Sequence, residues 1–202
     1  MIPKLTDGSS DSAVFLFAHG AGAPMDSPFM TRVAGGIAAH GIQVVRFEFP
    51  YMAARREGAR RPPDREPILR FTWAKLIDQH RDGRKVFIGG KSMGGRIATM
   101  VADETGVDGV VCFGYPFHPP GRPETLRIRH LQSLQTPLLI IQGTRDALGS
   151  QPEVSSLELS KNITIRWIGD GDHSLKPRVR SGRTEDQNVE EAIQAAAAFM
   201  NG

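Results

Sequence analysis

Ser92 stands between glycines in Gly90-Lys91-Ser92-Met93-Gly94, directly after the apolar run KVFIGG and directly before the amphipathic segment MGGRIATMVADE. This GxSxG spacing suits a serine presented on a tight strand-to-helix turn, where strained backbone leaves no room for Cβ atoms on either side. A serine hydroxyl is a weak nucleophile near neutral pH, so such chemistry needs a general base, and the base needs a carboxylate to orient its ring. Both follow apolar runs: PLLIIQG leads into Thr144-Arg145-Asp146, and ITIRWIG leads into Asp170-Gly171-Asp172-His173-Ser174. Asp146 is preferred over Asp170 and Asp172, because an aspartate on the histidine's own loop tends to bond local backbone N–H groups and shape the turn. The expected chemistry is acyl transfer, with Ser92 attacking a carbonyl, His173 taking its proton and Asp146 holding the imidazole.

The elements that must position these residues are legible as an alternation. Apolar runs at 13–18, 42–49, 85–90, 109–114, 137–143 and 163–169 are separated by helix-patterned segments at about 27–40, 66–81, 93–105, 124–134, 151–159 and 186–200. Runs this continuous suit strands buried on both faces. Six strands alternating with six helices predict an α/β fold, a mostly parallel six-stranded sheet with helices on both faces, in a single domain over 1–202 with its core at about 13–200. Two segments break the rhythm: the charged stretch 52–66, read as a mobile loop, and the proline-rich stretch 116–124. Both follow strand ends, where parallel sheets bind ligands.

The motifs HGAGAP, GKSMGG, GYPFHPPG, QGTRD and GDGDHS, with the order Ser92, Asp146, His173, make the chain resemble a small α/β-hydrolase over nearly its whole length. It is similar in particular to the dienelactone-hydrolase-like branch, and to compact hydrolase-like domains related to a histone-acetyltransferase-complex subunit and a testis-expressed protein. The resemblance implies an oxyanion hole made by the N–H groups of Met93 and Ala21, with Gly22 as the alternative to Ala21. It also marks departures. The chain begins at what would be the third strand of larger members, so their first antiparallel hairpin is expected to be missing; no insertion is long enough for a cap domain; and Ser92 replaces the cysteine of dienelactone hydrolases proper. An open, shallow pocket is the consequence.

Around the site, Lys91 and Arg145 either attract an anionic acyl group or are ion-paired structural charges. Tyr115 is a candidate for substrate binding, and His118 either touches substrate or packs. His19 is expected to brace the loops. The 25 Lys and Arg against 22 Asp and Glu give a net charge of only +3, and the arginine-rich patches at 55–65 and 178–183 lack interleaved aromatics, so no nucleic-acid partner is expected. Cys112 is the single cysteine, which excludes an internal disulfide and fits a reducing, cytoplasmic setting. No run approaches a membrane span and no leader pattern opens the chain. No histidine has ligand spacing for a metal, and neither metal nor organic cofactor is expected. The sequence therefore predicts a serine hydrolase acting on an ester or similar acyl bond of a small molecule, with thioesterase or peptidase chemistry using the same residues. The rival reading is a hydrolase-like binding or scaffold protein. Natural substrate and oligomeric state are not written in the sequence.

Overall fold

The computed structural model describes residues 2–202. The strands are β1 (Lys4–Asp7), β2 (Ala13–Ala18), β3 (Gln43–Phe47), β4 (Lys85–Lys91), β5 (Gly109–Phe113), β6 (Leu138–Gly143) and β7 (Ile163–Ile168). The helices are α1 (Pro28–Ala39), α2 (Pro50–Arg56), α3 (Glu66–Asp78), α4 (Met93–Thr105), α5 (Gln151–Ser155) and α6 (Glu185–Asn201). The strands form one sheet in the order β1-β3-β2-β4-β5-β6-β7. Every neighbouring pair is parallel except β1 with β3. This is a single-domain α/β fold around a mostly parallel sheet, with no cap domain among the described residues.

Side-chain alternation along the strands divides the core in two. Val14, Leu16 and Ala18 of β2 join Trp73 of α3 and Ile97 and Val101 of α4 on one face. Phe15 and Phe17 point the other way, to Val33 and Ile37 of α1 and Ile193 of α6. Each strand residue of β2 is buried whichever way it points, which is why the run carries no polar residue.

Four expectations are corrected. The sheet has seven strands rather than six, because KLTD adds an antiparallel edge strand, so the expected loss of the antiparallel start is only partial. Its four residues are mostly exposed and show no apolar run; what holds it is Arg46, a buried arginine in β3 whose guanidinium donates two hydrogen bonds of 2.8 and 2.9 Å to Asp7. The stretch 52–66 is not simply a loop: its start lies in α2, and Arg56 is held by Glu48 and Asp26. The helix expected at 124–134 is absent. The Arg127 N–H donates to the Phe117 carbonyl and the Tyr115 hydroxyl donates to the Arg127 carbonyl, so backbone groups a helix would use are already engaged. The helix expected at 151–159 stops at Ser155. No helix among the described residues is long and apolar enough to cross a membrane.

Candidate active site

β4 runs into Ser92, and α4 begins at the next residue. Ser92 has φ 50° and ψ −116°, a conformation L-residues rarely adopt. The flanking glycines let the turn close. A Cβ on Gly90 would lie 2.4 Å from the Ala18 carbonyl oxygen, and one on Gly94 would lie 2.5 Å from that of His19. The Ser92 N–H donates to the Phe113 carbonyl at 3.1 Å, tying the turn to the end of β5.

Three sequence-predicted residues meet at the carboxyl edge of the sheet. Ser92 Oγ lies 2.9 Å from His173 Nε2, and His173 Nδ1 lies 2.8 and 3.0 Å from the two carboxylate oxygens of Asp146. Asp146 is fully buried, while the His173 side chain keeps 28% of its surface exposed. With Nδ1 donating to the carboxylate, Nε2 is left as the acceptor of the serine proton. Asp170 and Asp172 do other work. Asp172 Oδ1 accepts the N–H groups of Ser174 and Lys176, shaping the histidine's turn, and Asp170 pairs with Arg178 and Arg145.

Residues that pattern reading missed hold this arrangement in place. Gln142, buried in β6, donates through Nε2 to Asp146 Oδ2 at 2.9 Å and to the Gly149 carbonyl at 3.1 Å, while its Oε1 accepts the Tyr115 N–H at 2.8 Å. Asn188 of α6 donates to the Leu175 and Gly169 carbonyls and so clamps the loop that carries His173. A glutamine in an apolar strand and an asparagine in an amphipathic helix carry a weak signal: each is a polar residue at a position whose pattern demands burial, and such groups are hydrogen-bonded.

The turn after β2 is braced as well. The Phe49 N–H donates to His19 Nε2, so the proton rests on Nδ1, which donates to the Gly20 carbonyl at 2.6 Å. Burial holds the His19 pKa below its usual value, keeping the ring neutral. The Tyr51 hydroxyl reaches the Gly20 and Ala21 carbonyls at 3.3 and 3.1 Å. The N–H groups of Ala21 and Met93 have no acceptor among the described residues, and the helix dipole of α4 adds positive potential at Met93.

A cavity of about 400 Å³ opens beside Ser92, lined by Ala21, Gly22, Phe29, Met30, Lys91 and His173 among others. Lys91 Nζ donates to the His173 carbonyl and lies 5.7 Å from the Phe29 ring centre. Burial pushes its pKa down to about 8. Tyr115 and His118 line neither this cavity nor the other one at Ser92. Tyr115 is core, bonded to the Arg127 carbonyl, and His118 lines a separate cleft with Phe117 and Leu126. Burial alone raises the Cys112 thiol pKa, as fits an unreactive core cysteine. Among the described residues no group of three or more His, Cys, Asp or Glu could hold a metal ion.

The family model described as an alpha/beta hydrolase domain matches residues 11–201. An alpha-beta serine hydrolase homologue from Coxiella burnetii superposes with a TM-score of 0.72 at 18% identity, covering 96% of this chain and 90% of that one. A serine hydrolase without a lid from Xanthomonas campestris gives 0.70 at 19% identity, covering 98% and 88%. A dienelactone hydrolase from Anabaena variabilis gives 0.71 at 20% identity, covering 98% and 89%. At such identity these likenesses speak to the fold.

Proposed function

The chain belongs to the alpha/beta hydrolase domain family, and on that premise we propose that it is a serine hydrolase cleaving an ester or similar acyl bond of a small substrate. The observation that carries the reading is the unbroken hydrogen-bond chain from Ser92 Oγ through both nitrogens of His173 to the buried Asp146. In this reading Ser92 Oγ attacks the substrate carbonyl as its proton passes to His173 Nε2. The N–H groups of Met93 and Ala21 stabilise the oxyanion, with Gly22 the alternative to Ala21. Collapse of the tetrahedral intermediate expels the leaving group, which takes the proton from His173. Water, deprotonated by the same nitrogen, then attacks the acyl carbonyl, and His173 returns that proton to Ser92 Oγ as the acid product leaves.

Asp146 holds the imidazole through its carboxylate and stabilises the imidazolium that forms. Lys91 holds the His173 main chain, which favours a positioning role for it over substrate binding. Arg145 is engaged by Asp170, which favours a structural role.

Fluorophosphonate labelling tests the reading without a known substrate. Wild type should label, whereas folded Ser92→Ala and His173→Ala should not, and turnover of a short acyl ester should fall by about 10⁴-fold or more in each. Equal labelling of wild type and Ser92→Ala would sink the mechanism. Labelling of no folded form would favour the hydrolase-like binding protein.

A further inference from the structure

Ser92 and Ala21 line both of two cavities. The second, about 370 Å³, is also lined by Met93, Pro116, Arg96 and Arg127, and by the carboxylates Asp64 and Glu66. His173 lines only the first. A leaving group must take a proton from His173 Nε2, so it belongs in the cavity His173 lines. The acyl group, held on the other side of the attacked carbon, then extends into the second.

The charges there are unevenly engaged. Asp64 Oδ2 accepts the Tyr51 N–H at 2.8 Å, capping the start of α2. Glu66 lies 3.8 Å from Arg70 and 4.0 Å from Arg96. Among the described residues the Arg127 guanidinium has no carboxylate or hydrogen-bond partner. Among the described residues Arg96, four-fifths buried, otherwise bonds only the Met100 sulfur at 3.5 Å. Burial and, next, the charge of Arg96 pull the Arg127 pKa below its usual value. Arg127, without a partner among the described residues, and Arg96, paired with Glu66 only at 4.0 Å, line the cavity together, and an incoming anion would relieve their repulsion.

We propose that this second cavity is an acyl subsite selecting acyl groups that end in a carboxylate, with Arg127 and Arg96 as the specificity-determining residues. The substrate class is then monoesters of short dicarboxylic acids. The proposal rests on the hydrolase reading for its assignment of the acyl side, and on the arginines alone for its anion affinity. The Tyr115 hydroxyl, bonded to the Arg127 carbonyl, fixes the segment that carries one of the two charges.

Methanol release from monomethyl glutarate and from methyl pentanoate compares a charged with an uncharged acyl end at constant leaving group. Wild type should favour monomethyl glutarate in kcat/KM by at least about tenfold, since a charge-assisted hydrogen bond is typically worth that much. Arg127→Gln and Arg96→Gln should each collapse the ratio. A ratio near one in wild type, or one unchanged by both substitutions, would overturn the proposal.

Calorimetric binding of monomethyl glutarate to Ser92→Ala separates this result from the hydrolase reading. Affinity should drop at least about tenfold when Arg127→Gln is added. Arg127-dependent binding without turnover by wild type would remove the hydrolase and keep the anion subsite. Absence of binding, or binding indifferent to Arg127, would remove the subsite.

Discussion

At the scale of single residues, Ser92 carries two demands that conflict. Its hydroxyl must face the cavities, and its backbone must hold φ 50° to put it there. Non-glycine residues in such sparsely populated conformations cost about 1–3 kcal/mol, whereas glycine adopts them freely. Removing the hydroxyl should therefore affect stability differently according to the replacement. Ser92→Gly is expected to be more stable than Ser92→Ala by about 1 kcal/mol, or roughly 2–4 °C in Tm for a chain of this size, as thermal unfolding of the two would show. Equal Tm values would mean that the turn relaxes. The same residue explains why the candidate site was legible in the sequence. GxSxG marks its own backbone geometry, because only glycine fits the approaches of 2.4 and 2.5 Å at Gly90 and Gly94. Asp146 and His173 were legible because each follows a strand. Tyr115 and His118 also follow a strand, yet neither lines a cavity at Ser92. Position after a strand brings a residue to the right edge of the sheet without setting the direction of its side chain.

At the scale of elements, β6 does more than deliver Asp146 to the edge. Gln142 lies one residue before the end of that strand, where it bonds both Asp146 and the backbone beyond β5. Replacing it with leucine keeps the strand apolar and buried. It also strips the Tyr115 N–H of its acceptor and leaves Asp146 Oδ2 and the Gly149 carbonyl each short of a donor. Buried unsatisfied groups cost about 1–3 kcal/mol each, so Gln142→Leu, with three such groups affected, is expected to lose at least about 3 kcal/mol, lowering Tm by roughly 6 °C or more. Under the proposed mechanism kcat should fall as well, because Asp146 loses one of the bonds that orient it towards His173. A Tm within 2 °C of wild type would show that water or a shifted backbone replaces the amide. Elements escaped the sequence for a related reason. β1 and α2 are held by tertiary ion pairs, Arg46 with Asp7 and Arg56 with Glu48, rather than by local pattern. The helix expected at 124–134 loses to the hydrogen bonds Arg127 makes with the Phe117 carbonyl and the Tyr115 hydroxyl, which no local window contains.

For the molecule as a whole, the candidate site spans the ends of β2, β4, β6 and β7, so its geometry depends on the sheet staying assembled under all conditions of use. Two histidines outside the Ser92 relay set an acid limit on that assembly. Burial pushes His130 down to about 4, with Arg96 and Arg70 adding to the effect, and burial also lowers His19. In the unfolded chain both rings regain a pKa near 6.5. Between there and the folded value the unfolded state binds more protons, so stability falls as pH falls. For His130 the loss begins near pH 6.5 and is complete near pH 4. His130 Nε2 lies 2.9 Å from Thr99 Oγ1 on α4, the helix that starts beside Ser92, so the loss is felt at the element carrying the nucleophile candidate. Chemical unfolding of wild type across pH 7 to 4.5 should show stability falling through this window, and His130→Gln, which keeps a partner for Thr99 but does not titrate, should show a visibly shallower fall. Parallel curves for the two proteins would assign the acid sensitivity to His19 instead, since the carboxylates with lowered pKa values act only at more acidic pH.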